Sequence, residues 1–392
     1  MVKKINIVYS IFTVALFYIV SPWFFERAFL FNEILSAAGL FILAYKHFRI
    51  GKDPISICVV LLLLLGGVHV VTSLFRMDSF YYYLRNTVIV YSMLAFFIGF
   101  YWLKYLGGYL NRIRRLLRYY IGIFLLIPLP RFLFERFGMA MLFPVLFKKA
   151  SLKWVFPAII VINIIYGITY GSVTAVVLAL LYMFLLVAPS YKFFMQVTGI
   201  GLLLFACLFI YLVPNLSLIS RHYSHNNYNG ILEVMRSSRI LSIDGNSTWR
   251  LVLWKQIIVD KFPANIFGIG FGTPALRYFP VEDFTKIPTL PYVLGAHNSF
   301  VYLFGRLGIL YVLIIANVYR CIFKEYFYYK RYYYSNNQIM LFWSFLAITG
   351  IALFNPTLES PIYASAYWLI LGFTARAIHQ RKFNSPKPPA EI

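Results

Sequence analysis

The chain has 392 residues, 61% of them hydrophobic and only 12% charged, with a formal net charge of +23. A soluble domain carries about 25% charged residues, so the surplus apolar surface has to face lipid and an ordinary soluble fold is excluded. The basic residues sit mainly in short loops between apolar runs, not on one continuous face, which argues against nucleic acid as a partner.

A membrane helix needs about 20 mostly apolar residues. On that measure the expected spans are 5–21, 28–45, 54–74, 84–103, 117–134, 138–147, 154–170, 172–188, 193–213, 297–319, 338–355 and 361–378. This is an all-α, polytopic helix bundle of about twelve transmembrane helices. The stretch 138–147 is short, and Pro128, Pro130 and Arg131 interrupt its neighbour, so eleven or ten spans are the alternatives. No small-residue cleavage site follows the first run, where Ser21-Pro22-Trp23-Phe24-Phe25 stands, so that segment reads as a retained helix and not a signal peptide.

Charge sets the orientation. Lys3 and Lys4 precede the first span, and Lys46, Arg49 and Lys52 follow the second. Lys104, Arg112, Arg114, Arg115 and Arg118 follow the fourth. Lys148, Lys149 and Lys153, then Lys192, then Arg320, Lys324, Lys330 and Arg331, then Arg381, Lys382 and Lys387 mark every second connection after that. By the positive-inside rule both termini are cytoplasmic. The expected organisation is an N-terminal bundle over 1–213, a loop outside the cytoplasm over 214–296, C-terminal membrane helices over 297–378 and a cytoplasmic tail over 379–392. Tyrosines and basic residues over 324–337 suit interfacial anchoring to membrane lipids.

A connection of about 80 residues is far longer than the usual 4–6, so it is functional or disordered. Its contents favour function. Apolar residues recur at helical spacing from Thr248 to Val259, with Asn246 or Ser247 as a cap, and Leu251, Trp254 and Ile258 are expected to face lipid or the bundle. Pro263 ends that helix, and Gly268, Gly270 and Gly272 then allow tight turns. His297-Asn298 stands at the lip of the next apolar segment. A histidine there suits acceptance of a proton from a hydroxyl. An arginine such as Arg250 offers a permanent forked donor set for a diphosphate. Taken singly, each has a plainer reading, Arg250 as an arginine snorkelling to headgroups and His297 as an interfacial or capping residue. Their combination in one loop points to glycosyl transfer from a lipid diphosphate donor. The three cysteines, Cys58, Cys207 and Cys321, lie in or beside apolar runs, and no His, Cys, Asp or Glu cluster has ligand spacing, so neither metal nor other cofactor is expected and activity should survive chelators.

Arg250-x3-Trp254, Phe262-Pro263, Phe267-Gly268-Ile269-Gly270-Phe271-Gly272 and His297-Asn298 with nine residues to Gly308 resemble the O-antigen ligase and O-antigen polymerase superfamily. The likeness in motifs covers about 250–311; elsewhere it is one of topology. It implies an inner-membrane glycosyltransferase, metal-independent and inverting, that uses an undecaprenyl-diphosphate-linked glycan in the periplasm. It further implies that Arg250 contacts the diphosphate and that His297 activates the acceptor hydroxyl. Arg221, Arg236, Arg239 and Arg277, with Trp254 and Asn298, complete the candidate substrate-binding set. In this family's motif a second glycine follows the first by three residues; here that position is Tyr311. Ligases of the family carry a second arginine at the turn between the seventh and eighth spans. Here that turn reads Thr169-Tyr170-Gly171-Ser172-Val173-Thr174, with no Arg or Lys between Lys153 and Lys192. The expected activity is therefore a repeat-unit polymerase, with a ligase to lipid A–core as the alternative and a chain-length regulator as a candidate partner. A transporter or flippase ranks third: Glu33 and Arg85 lie inside apolar stretches, but polar chemistry is concentrated in one external loop.

Overall fold

The computed structural model describes residues 29–45, 53–101, 161, 164–165, 173–224, 245–275, 295–332 and 337–384. These residues are mostly helical, with no strand among them. Helix α1 is Phe29–Tyr45, α2 is Pro54–Leu74 and α3 is Phe80–Tyr91, which passes through a 3-10 turn at Ser92–Leu94 and stays helical to Tyr101. Helix α4 is Val173–Val187 and α5 is Tyr191–Ser224. The loop region contributes α6, Gly245–Lys255, a π-helical turn at Gln256–Asp260, and the single turn α7, Ala264–Phe267. The C-terminal part holds α8, Ser299–Leu307, α9, Ile309–Tyr332, α10, Asn337–Phe354, and α11, Pro361–Asn384.

Among the described residues, three helices are long and apolar enough to cross a membrane, Pro54–Leu74, Tyr83–Tyr101 and Tyr191–Pro214. Their exposed faces are the kind lipid would cover: Leu61, Leu64, Val68 and Val71 on α2, and Leu202, Leu203, Leu204 and Ile210 on α5. The expected spans 5–21, 117–134 and 138–147, and nearly all of 154–170, lie outside the described residues.

Local chemistry explains the better-defined ends. Helix α2 begins where the Asp53 carboxylate accepts the Ser56 backbone N–H at 2.9 Å, with proline at the first helical position. Two expectations need adjusting. Helix α5 does not stop near Val213 but carries Pro214 inside it and continues to Ser224. The apolar run 297–319 is not one helix, because Gly308 takes φ +80° between α8 and α9. A side chain there would meet the carbonyl oxygen of Ile266, so α7 packs directly into the break.

Helix α9 packs along α2, and α10 along α11, while α8 touches α2, α9, α10 and the π turn. Helix α11 and the helical stretch ending at Tyr101 meet through Gly372 and Gly99, each against the other's backbone, as close-packed membrane helices do. Short polar segments gather at one end of this bundle. The Asp78 N–H donates to the Gly272 carbonyl, and the Thr357 N–H donates to Ser299 Oγ. These bonds pair the α2–α3 connection with the glycine run, and the start of α8 with the α10–α11 turn. Helix α8, whose Gly305 and Arg306 carbonyls accept from the glycine run, joins the two pairs into one mouth.

Candidate functional site

Helix α6 and its π turn bury Val252, Leu253 and Ile257 completely, and Trp254 nearly so. Burial runs unbroken from Val252 to Ile257, with Leu251 and Ile258 at its margins. Trp254 stands edge-on to Phe205 of α5 and donates its indole N–H to the Ala296 carbonyl at 2.9 Å. That bond brings α6 to the residue before His297. Arg250 lies one turn earlier on the same side of the helix, and its guanidinium acts electrostatically on the His297 ring.

A π turn frees backbone groups from the regular ladder. Here Asn265 Nδ2 satisfies the Ile257 and Ile258 carbonyls at 2.7 and 3.0 Å. Lys255 spans the same turn to Asp260 at 2.8 Å. Asn265 and the Lys255–Asp260 pair thus hold the widened turn in place directly after Trp254.

His297 has φ +50°, a left-handed conformation that non-glycine residues rarely adopt. Asn298 behind it is the N-cap of α8, and its Oδ1 accepts the Phe300 and Val301 N–H groups at 3.0 and 3.1 Å. The reversal at 297 and the cap at 298 together fix the imidazole at the mouth. Asn298→Ala should cost about 0.5–2 kcal/mol of stability through loss of the cap, read as a lower Tm of the detergent-solubilised protein. An unchanged Tm would remove the capping role.

Burial, then the Arg250 guanidinium, hold the His297 pKa down at about 4. The ring is therefore neutral at ordinary pH. A neutral imidazole can accept a hydrogen bond or a proton, and beside it a permanent cation can face an anion.

The glycine run does not act as an anion cradle. The N–H groups of Ile269, Gly270 and Phe271 are spent on the Gly305 carbonyl, the Arg306 carbonyl and Ser73 Oγ. Its carbonyls meet Arg306, which is wholly buried and donates from Nη1 to the Gly270 and Thr273 oxygens at 2.8 and 2.5 Å. Arg306 Nη2 donates to the Tyr302 hydroxyl at 2.8 Å, and that hydroxyl donates to Asn86 Oδ1 at 2.9 Å. This network seats the loop on the bundle.

Of the residues singled out from sequence, Arg250, Trp254, His297 and Asn298 come together. Arg221 lies on α5, with only its backbone described, and Arg236, Arg239 and Arg277 lie outside the described residues. Sequence reasoning missed Arg306, Asn86, Ser299 and Glu359. Arg306 and Glu359 were visible as charges inside or beside apolar runs, whereas Asn86 and Ser299 gave no signal. Among the described residues, no group of three or more His, Cys, Asp or Glu is placed to hold a metal ion. Compared with models of known protein families, with curated proteins and with solved structures, the chain matches none.

Proposed function

We propose that the protein is a polytopic membrane glycosyltransferase, with about twelve spans, that moves a glycan from undecaprenyl diphosphate onto another lipid-linked repeat: an O-antigen or related repeat-unit polymerase. The observation that carries this reading is the meeting of Arg250 and His297, distant in sequence, at one end of an apolar bundle. The neutral imidazole receives the acceptor hydroxyl, whose oxygen attacks the anomeric carbon from the side opposite the diphosphate and inverts it. Arg250 takes the charge that builds on the departing diphosphate, which needs no protonation to leave. The mouth unites the α2–α3 connection, the long loop and the α10–α11 turn, the grouping expected if all three lie on the periplasmic side of an inner membrane with cytoplasmic termini.

Polymerase ranks above ligase because no basic residue stands between Lys153 and Lys192 to give a ligase its second diphosphate contact. Deleting the gene and resolving the host's lipopolysaccharide on a gel separates the readings. The expected result is a core carrying a single repeat. Bare core, with glycan stranded on its carrier, would mean the ligase, and an unchanged ladder would overturn both.

A further inference from the structure

The α10–α11 turn places a carboxyl group beside the histidine loop. Glu359 is half-buried as a residue, but its Oε1 is enclosed and has no hydrogen-bond partner. A side chain on Gly295 would lie 3.5 Å from that oxygen. The other oxygen, Oε2, is held at 2.5 Å by Ser299 Oγ. The carboxyl group thus bonds to the chain two residues after His297 and lies beside the backbone two residues before it.

Ser299 is arranged to serve this carboxylate. Its Oγ accepts the Thr357 and Leu358 N–H groups at 2.9 and 3.0 Å, which uses both lone pairs. Its single hydrogen then has two acceptors, Glu359 Oε2 and the Asn355 carbonyl at 3.1 Å. With the carboxylate ionised, the hydrogen goes to Oε2. With a proton on Oε1, it can turn instead to the Asn355 carbonyl, so Ser299 keeps an acceptor in either state. The Ser299 hydrogen can therefore follow the charge on Oε2, whereas the enclosed Oε1 has no hydrogen-bond partner within the protein to follow its own proton. From the bundle side, the Tyr311 hydroxyl, also enclosed and without a hydrogen-bond partner, lies within electrostatic range of Glu359, as does the Arg306 guanidinium.

We propose that Glu359 is a second acid–base group of the transfer reaction, its Oε1 receiving the proton of the acceptor hydroxyl while His297 orients that hydroxyl and Arg250 holds the diphosphate. The inference rests on the glycosyl-transfer reading above. In the step, the acceptor O–H bond breaks and its proton passes to the Glu359 carboxylate. The acceptor oxygen bonds to the anomeric carbon as the bond to the diphosphate oxygen breaks, and undecaprenyl diphosphate leaves with that electron pair. Burial raises the Glu359 pKa to about 7, against the pull of Ser299, the backbone N–H groups of Leu358 and Glu359, and Arg306. Such a group is better matched to proton transfer near neutral pH than the His297 ring at about 4.

The test uses the full-length protein in detergent, with lipid-linked oligosaccharide extracted from the deletion strain as both donor and acceptor, and initial rates taken between about pH 5 and pH 9. A base must be ionised, so the wild-type rate should rise with pH through about 7, not through about 4. Glu359→Gln keeps an oxygen for Ser299 but cannot take a proton. It should lower kcat by about 10²–10⁴-fold with KM little changed and remove the limb near neutrality. Glu359→Asp should retain partial activity with the limb displaced, which keeps the test decisive if the glutamine variant is poorly folded. Wild-type kcat and pH profile in Glu359→Gln, or an unmoved limb in Glu359→Asp, would overturn the role of Glu359 alone. A wild-type protein that transfers no glycan at any pH would overturn the parent reading and this one with it.

Discussion

Neither His297→Ala nor Arg250→Ala should support polymer formation in a deletion strain, although both proteins should reach normal levels in the membrane. On the proposed reading the His297 ring meets the acceptor hydroxyl, and loss of such a group would remove about 10²–10⁴-fold in rate. His297 also has an unusual backbone, so the alanine result needs a companion. Asparagine tolerates φ near +50° better than most residues. His297→Asn should therefore keep the loop and still be inactive. If His297→Asn restored polymer, the imidazole would be dispensable and the site would have to lie elsewhere. For Arg250, the lysine variant is the informative one. It preserves the charge but not the fork, so it should recover only part of the activity, because an ammonium cannot grip two diphosphate oxygens at once. Arg250→Ala should in addition raise the His297 pKa, since the guanidinium is the second cause of its depression. A full polymer ladder from Arg250→Ala would end the proposed diphosphate contact.

Much of the scaffold was legible because hydrophobic length and capping act locally. Asp53, Pro54 and the apolar run after them announce α2 at its observed bounds, and α10 and α11 begin within a residue of where composition starts them. Two features escaped for identifiable reasons. A hydropathy window averages over about 19 residues, so a single glycine leaves 297–319 looking continuous although Gly308 breaks it. The apolar run 193–213 ends where Pro214 stands, yet α5 carries that proline inside, as membrane helices can when neighbouring groups re-satisfy the backbone. The site was half legible. Arg250 and His297 stand out by residue type, but their meeting depends on Trp254 reaching Ala296, a contact across 42 positions. Glu359 gave even less. Its significance comes from the Ser299 hydroxyl and the Gly295 backbone, neither of which any pattern in the chain associates with it.

The largest effect on stability should come from Arg306. Its guanidinium is wholly buried, stands 4.9 Å from the Tyr302 ring centroid and makes the hydrogen bonds that seat the glycine run. Arg306→Met fills similar space but supplies no donor. The carbonyls of Gly270 and Thr273 would then be left with lone pairs facing an apolar neighbour, at about 1–3 kcal/mol for each buried group so stranded. The cost should fall on the seating of residues 268–273 before it reaches the bundle, because α2 and α9 pack through contacts of their own. Limited proteolysis should therefore cut Arg306→Met near the glycine run under conditions that leave the wild type whole, and its Tm in detergent should drop. Activity should fall in parallel, since α7 and the glycine run buttress the C-terminal end of α8, the helix whose other end carries His297. Arg306→Lys should repair this only in part, because one ammonium cannot reach the two carbonyls and the Tyr302 hydroxyl with the reach of a planar fork. An Arg306→Met protein with wild-type Tm and protease resistance would show that the loop is seated by its apolar contacts and not by this cation.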